Sequence, residues 1–239
     1  MKTTSGNSQY LTCESNMIYA LLMLSAGMMG AYTFNLRGGV FCNAQTANFV
    51  MMAVMFGKGQ IMQGFYYVIP ITAYFFGTFL SEVLPDPIKR FGFLRWDTYF
   101  IAFEAVTLFV IGFLPLRLPD QIVQVAINFI ASMQYNTFRQ AEGVPMATTF
   151  CTNHLRQTGV ACARAVRKKD HAALKRSFLH VGMLFCFVLG GLILTFFCGV
   201  LLEKSIWLAL IPTVIILGRL VYADLWKERD LLGQKPGGH

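Results

Sequence analysis

The chain has 239 residues, of which 55% are hydrophobic and only 13% are charged. Soluble domains carry about 25% charged residues, so this composition excludes an ordinary soluble fold and indicates a membrane protein. The 20 Lys and Arg residues outnumber the 12 Asp and Glu residues. In a membrane protein the positions of the cations report orientation, and we therefore expect no nucleic-acid partner.

Several segments are apolar over lengths that can cross a bilayer, which takes about 20 residues of helix. In chain order they are Met17–Leu36, Ile61–Leu84, Thr98–Leu116, Gln121–Phe138, Phe178–Leu202 and Ser205–Tyr222. The connections between them are short. The sequence therefore predicts an all-α, polytopic membrane helix bundle without a separate soluble domain.

The two halves of the chain resemble each other. AGMMGAYTF (26–34) aligns with ASMQYNTF (131–138), and RGGVFCNAQTANFV (37–50) aligns with AEGVPMATTFCTNHL (141–155). The matches are collinear, and each follows the first long apolar segment of its half, which favours a duplication. The predicted organisation is a polar N-terminal tail (1–16), a first membrane repeat (17–116), a second membrane repeat (117–226) and a polar C-terminal tail (227–239).

Each polar motif opens a further segment that is a poor membrane span, Ala44–Gly57 in the first half and Ala147–Ala163 in the second. Ala44–Gly57 is short, and Ala147–Ala163 is rich in polar residues. Two topologies are open: six spans with two re-entrant half-helices, or eight spans. Six spans place most cations on the side of the N-terminus, whereas eight move the 89–95 cluster and Arg139 to the other side, so the positive-inside rule favours six. Three spans per half would make the repeats inverted.

These motifs resemble the YoaK family, a group of bacterial inner-membrane proteins defined as a domain of unknown function. RGGVFCNAQTANFV is similar to the family pattern RGGVFxNAQTGN, and MQYNTFRQAEGVPMATTFCTNHLR (133–156) is similar to MQYNTFRxxxGxxxATTxCTGNLR. The resemblance covers nearly the whole chain and implies a fold class and a bacterial inner-membrane location. Gly30 and His154 stand where the family has Asp and Asn.

Half-helices that begin at membrane depth would aim free N–H groups and the positive ends of their dipoles toward the bilayer middle. Secondary transporters hold anionic or polar solutes in this way. The alternative is that the polar residues of these segments only cap helices and hydrogen-bond between packed spans. The candidate substrate-binding residues are Asn43, Gln45, Thr46, Asn48, Gln134, Asn136, Thr148, Thr149, Thr152, Asn153 and His154.

Two titratable residues are candidates for an ion or proton pathway. Glu104 lies within an apolar span, where a carboxylate is costly unless it is paired or faces a cavity. Arg219 in the last span is a partner that would give Glu104 a structural role instead. His154 could titrate near neutral pH.

The leading hypothesis is a transporter or channel for a small polar or anionic solute, with its site between the repeats near mid-membrane. The alternative is a non-transporting scaffold or a lipid- or partner-binding protein. We expect no enzyme activity, cofactor or metal site, since the sequence has no nucleophile–base pair, ligand cluster or nucleotide motif. The expected location is the bacterial inner membrane, with both termini cytoplasmic and anionic lipid at the basic loops 89–95 and 164–176. A homo-oligomer is compatible with these features.

Overall fold

The structure is a computed structural model that describes residues 10–90 and 92–237. Residues 1–9 of the predicted N-terminal tail, Phe91 of the predicted basic loop and residues 238–239 of the C-terminal tail lie outside the described residues. Within the described ranges, helices account for almost all regular structure, and one short antiparallel hairpin is present. The predicted all-α class is confirmed.

The elements follow one another in a simple order. They are α1 (Asn16–Leu36), α2 (Gln45–Gly57), α3 (Ile61–Tyr66), α4 (Val68–Val83), α5 (Pro85–Lys89), α6 (Trp96–Ile111), α7 (Asp120–Thr137), β1 (Gln140–Ala141), β2 (Val144–Pro145), α8 (Thr152–Lys168), α9 (His171–Leu201) and α10 (Trp207–Tyr222). Short 3-10 or π turns occupy Thr12–Glu14, Leu202–Ile206, Ala223–Lys227 and Arg229–Leu231.

Within the described part of the chain, three helical stretches are long and apolar enough to cross a membrane, namely Asn16–Leu36, Ile61–Lys89 and His171–Lys227. The outer surface of the bundle is also apolar. On α9, for example, Phe196 and Val200 are 78% and 80% exposed. Large apolar side chains exposed in this way are typical of a lipid-facing surface. The fold is therefore that of a membrane helix bundle.

Two apolar clusters, one above the other, give the direction of each long helix. The first contains the early residues of α1 and α6 and the late residues of α7 and α10, such as Ile18 and Leu220. The second contains the late residues of α1 and α6 and the early residues of α7 and α10, such as Met29 and Ile127. α1, α6 and α9 thus run one way, and α7 and α10 run the other way. We call the end with both chain termini the termini end, and the opposite end the far end.

The two halves of the chain interlock, because a helix of each half packs mainly against a helix of the other half. α1 makes its most extensive contacts with α9, and α7 makes its most extensive contacts with α4. Small residues permit both approaches. A Cβ added to Gly190 would lie 2.9 Å from the carbonyl carbon of Leu24, and one added to Gly77 would lie 3.2 Å from that of Phe129. Small residues at such positions are what allow membrane helices to approach closely.

The observed boundaries differ from the predicted ones at several places: α6 ends at Ile111 instead of Leu116, and α9 begins at His171 instead of Phe178. The predicted span Ile61–Leu84 is divided at Tyr67 into α3 and α4. Pro70 explains the division, because it has no N–H to donate to the carbonyl of Tyr66 four residues earlier. The predicted segment Ala147–Ala163 becomes helical only at Thr152, since its first residues form an irregular inner loop.

Candidate functional site

Two irregular connections enter the bundle from opposite ends and meet inside it. We call residues 37–44 the first inner loop and residues 138–151 the second inner loop. The side-chain amide of Asn43 donates to the carbonyl oxygen of Thr149 at 2.8 Å and lies 3.4 Å from the carbonyl oxygen of Ala26. Asn43 is buried. One side chain therefore ties the two inner loops together, within the interior of the protein.

Buried polar atoms without partners surround this meeting point. Gln134 on α7 donates to the carbonyl oxygen of Thr148 at 3.1 Å. Its own Oε1 and the Oγ1 atom of Thr148 have no hydrogen-bond partner in the part of the chain that the structure describes, and the Oγ1 atom of Thr149 has only the hydroxyl of Tyr74 beside it. Because burial of an unpaired polar atom costs about 1–3 kcal/mol, such atoms mark a place where a solute or water can bind.

A run of side-chain amides leads from the meeting point toward the far end. Asn48 on α2 donates to Oε1 of Gln45 at 3.1 Å, and Gln45 donates to Oδ1 of Asn128 on α7. Asn128 donates to the carbonyl oxygen of Gln124 at 2.7 Å, and Gln124 donates to the carbonyl oxygen of Arg37 at 2.7 Å. Gln124 and Asn128 lie four residues apart on α7, so the helical period places both side chains on one face of that helix.

A pair of buried histidines leads from the second inner loop toward the termini end. Nε2 of His154 lies 2.7 Å from the carbonyl oxygen of Ala147, and its Nδ1 lies 3.0 Å from Nδ1 of His180 on α9. The carbonyl can only accept, so Nε2 of His154 carries a hydrogen. When His154 is neutral, its Nδ1 carries no hydrogen and accepts a hydrogen bond from Nδ1 of His180. Nε2 of a neutral His180 then carries no hydrogen, so it is the atom that can take up another proton.

A cavity lies at each end of this polar series. The far-end cavity, about 260 Å³, is lined by Gln124 and Asp120 of α7 and by residues of the first inner loop, α2, α3 and α4. The termini-end cavity, about 190 Å³, lies between the second inner loop, α8 and α9, and is lined by His180, Arg164 and Arg176. Both cavities thus share a residue with the hydrogen-bonded series.

The structure brings together most of the predicted site residues. Asn43, Gln45, Asn48, Gln134, Thr148, Thr149 and His154 are buried or half-buried in or beside the inner loops. The others lie elsewhere. Thr46 and Thr152 are exposed, Asn153 accepts from exposed Arg156 at 3.1 Å, and Asn136 donates to Ser81 and Glu82 near the end of α4.

Sequence reasoning missed three residues of the series: Gln124, Asn128 and His180. Gln124 and Asn128 are spaced four residues apart in a predicted helix, a detectable signal for one polar face. His180 had no such signal, because it is a lone histidine in an apolar segment and meets His154 only through the packing of α8 on α9.

Glu104 of α6 is fully buried, and neither carboxylate oxygen has a hydrogen-bond partner among the described residues. Arg219, the partner considered from sequence, is exposed on α10. An ion pair with Arg219 is therefore not the role of Glu104 in this structure. A buried carboxyl group without a partner is a feature of ion and proton sites in membrane proteins.

A second buried charged group lies at the termini end and was not predicted. Arg95 donates through Nε to Asp224 Oδ1 at 2.9 Å and through Nη2 to Glu228. Thr12 donates to Glu228 from its backbone N–H at 2.9 Å. Burial alone would raise the pKa of Glu228, but the hydrogen bonds from Thr12 and Arg95 and the charge of Arg95 outweigh it and lower this pKa below its usual value. This cluster anchors the start of the chain to the segment after α10.

Helix content, span length, apolar surface and a polar interior together define a polytopic membrane protein. The chain belongs to the DUF1275 family, proteins of unknown function, whose family model matches residues 18–218. YoaK is a member of that family, so the resemblance of the two polar motifs to YoaK proteins is confirmed. No curated protein matches the chain. No solved structure matches it either.

Proposed function

We propose that this protein is a transporter or channel for a small polar or anionic solute. One observation carries the proposal: a series of hydrogen-bonded polar groups links the far-end cavity, at Gln124, with the termini-end cavity, at His180. Asn43 bridges the two inner loops in its middle. Polar and irregular backbone at membrane depth is tolerated where protein or a water-filled path satisfies it.

The proposed topology has six spans, α1, α3–α4, α6, α7, α9 and α10, and two re-entrant half-helices, α2 and α8. Contacts at both ends of α2 support this topology. Gln45 at its start bonds to Asn128 in the interior, whereas Met55 near its end lines the far-end cavity beside Asp120. α8 has the opposite course, because its early residue His154 reaches the second inner loop, and its late residues lie beside the start of α9.

The same contacts support the inverted repeat predicted from sequence. Under the proposed equivalence, α1 corresponds to α7, α2 to α8, α3–α4 to α9, and α6 to α10. The two most extensive helix pairs, α1 with α9 and α7 with α4, exchange with each other under this operation. Inverted repeats with a site at their interface are a common architecture of secondary transporters.

The solute class follows from the groups around the meeting point of the inner loops. They are amides, hydroxyls and a backbone carbonyl, with the starts of α2 and α8 close by. The N-terminus of a helix carries partial positive charge and free N–H groups, which favour an anion or a polar acceptor. We assign Glu104 and His154 to an accompanying ion or proton pathway.

The proposed location is the bacterial inner membrane with both termini in the cytoplasm. The termini end carries the cations of 89–95 and those of 164–176, which occupy the last turn of α8, the connection and the first turns of α9. Cytoplasmic loops rich in Lys and Arg are the standard orientation signal, and they attract anionic lipid headgroups. The structure contains one chain, and a homo-oligomer in the membrane is compatible with it.

A non-transporting scaffold is the second candidate. One observation favours it: Asn43, Gln45, Asn48 and Asn128 all find hydrogen-bond partners inside the protein, as residues that only pack helices would. The two candidates differ in the role of the Thr148 hydroxyl group, which has no hydrogen-bond partner among the described residues. A scaffold has no use for it.

Purified protein in liposomes, tested for uptake of a panel of small anions and neutral polar solutes, distinguishes the two candidates. Replacing Thr148 by Val removes a hydroxyl that has no hydrogen-bond partner among the described residues, so folding should be retained while flux falls about tenfold or more. Thr152→Val, at an exposed hydroxyl, is the matched control and should transport as wild type does. His154→Asn should keep flux but should remove its dependence on pH, because His154 connects His180 to the second inner loop. Well-folded protein that moves no solute would favour the scaffold.

A further inference from the structure

A separate cavity of about 180 Å³ lies at the termini end, outside the polar series described above. The end of α4 with α5, the start of α6, the end of α7 and the C-terminal segment 232–236 form its walls. Its inner wall is polar and buried. Arg95 and Asp97 both line it, and they are 4% and 3% exposed.

Each of these two side chains has one polar atom without a partner. The Arg95 guanidinium uses Nε and Nη2 for Asp224 and Glu228, but Nη1 has no hydrogen-bond partner within the described chain. The same holds for Oδ2 of Asp97. Arg95 and Asp97 therefore do not pair with each other, although they carry opposite charges and line one cavity.

The side chains that line the cavity carry balanced charge, Glu82, Asp86 and Asp97 against Lys89, Arg95 and Lys235, which favours a ligand with both a positive and a negative group. Behind this lining, the buried guanidinium of Arg95 is flanked by two further buried carboxylates, Asp224 and Glu228. Asp224 and Glu228 are satisfied by Arg95 and by the hydroxyl groups of Thr98 and Thr12. Asp97 keeps one unpaired oxygen, and a buried carboxylate is stable only when it is paired or hydrogen-bonded.

The two lysines that line the cavity are engaged at its outer side. Lys89 donates to the carbonyl oxygen of Gly233 at 2.7 Å, and Lys235 lies 3.9 Å from Asp86. The backbone N–H of Gly237 donates to Glu14 at 2.8 Å. These contacts hold the C-terminal segment across the cavity, so neither lysine is positioned to neutralise Asp97 from within.

We propose that this cavity binds a small zwitterion of the amino acid type, with its ammonium group on Asp97 and its carboxylate on Arg95. An ammonium donates to the free Oδ2, and a carboxylate accepts from the free Nη1, so both buried charges become fully paired. The volume of about 180 Å³ equals roughly six water molecules at about 30 Å³ each, which suits a small amino acid. The C-terminal segment encloses the ligand.

Full-length protein in detergent, melted in the presence of each of the twenty standard amino acids, tests this assignment. At least one should raise the melting temperature in a saturable way, and calorimetric titration then gives its affinity. Methylammonium and acetate, which each carry one of the two charges, should bind at least about tenfold more weakly. No stabilising amino acid, or methylammonium that binds equally well, would overturn the zwitterion site.

Variants locate the site. Asp97→Asn should weaken binding about tenfold or more, whereas Asp230→Asn removes the same charge from an exposed position that does not line the cavity and should leave the affinity unchanged. Equal affinity in wild type and Asp97→Asn would place the ligand elsewhere. The comparison of ligands on wild-type protein decides the matter if Asp97→Asn does not fold. Thr148→Val should bind the amino acid normally, because the site is independent of the proposed solute path.

Discussion

The contact between α1 and α9 makes a quantitative prediction about single methyl groups. A Cβ on Gly190 would lie 2.9 Å from the carbonyl carbon of Leu24 and 3.2 Å from its Cα, and a Cβ on Gly27 would lie 2.9 Å from the carbonyl carbon of Phe187. Nonbonded carbon atoms prefer about 3.5–4.0 Å. The backbones would therefore have to separate by at least roughly 0.6 Å. They would separate further to clear the carbonyl oxygens, which lie closer still.

Overpacking of this kind costs about 1–3 kcal/mol, and here the obstacle is backbone that cannot rotate away. We expect Gly190→Ala and Gly27→Ala each to lower the free energy of unfolding by about that amount. Gly182 and Gly199, on the same helix α9, have no neighbouring atom within 4 Å of a built Cβ. There alanine should be neutral or should stabilise the helix by about 0.5–1 kcal/mol.

The assay is thermal unfolding of the four variants in one detergent, followed by the loss of the monodisperse peak in size-exclusion chromatography. The melting temperature should fall for Gly190→Ala and Gly27→Ala. It should stay unchanged or rise for Gly182→Ala and Gly199→Ala. Equal melting temperatures for Gly190→Ala and Gly182→Ala would refute the close packing of α1 on α9, and with it the exchange of helices between the halves of the chain.

Two further substitutions test buried carboxyl groups. Because the pKa of Glu228 is lowered in the folded protein, its charge stabilises the fold above the unfolded pKa of about 4.3, and this contribution is lost as the pH falls through the folded pKa. Glu228→Gln should therefore be less stable than wild type by roughly 1–3 kcal/mol at pH 7, with the difference closing below about pH 4 in chemical denaturation. Glu104→Gln should unfold no more easily than wild type, since among the described residues Glu104 has the Thr213 hydroxyl beside it but no charged partner, and it should abolish any ion dependence of flux; a marked loss of stability would instead reveal a structural role.

Much of the fold could be predicted because a bilayer constrains sequence strongly. Segment length and apolar composition gave the helices, and the predicted short segment Ala44–Gly57 agrees with α2 to within one residue. The start of α8 was predicted too early. Nothing in the sequence of residues 147–151 excludes a helix. In the structure, however, the side-chain amides of Asn43 and Gln134 donate to the backbone carbonyls of Thr149 and Thr148, which are then unavailable to a helix.

The sequence predicted which polar residues of the two motifs lie in the interior, but it did not predict partners that come from far along the chain. His180 pairs with a residue 26 positions earlier, and Arg95 pairs with Glu228, 133 positions later. Neither pairing leaves a local pattern. Thr46 and Thr152 were included because they belong to the polar motifs, yet helical geometry turns both to the exposed side.

The two halves of the proposed path differ in chemistry, and we expect its two ends to respond differently to pH. Asn48 and His154 occupy matching positions in the aligned motifs. Asn48 binds Gln45, and neither side chain titrates, so the run of amides stays neutral as far as Asp120 at the far-end cavity. His154 is bonded through His180 to the termini-end cavity, and the network leaves only Nε2 of His180 free to take up a proton. A proton taken up there leaves the His180–His154 bond intact, whereas protonation of His154 would set two donors against each other. We therefore expect His180, rather than His154, to be the group through which pH at the termini end would act on the second inner loop.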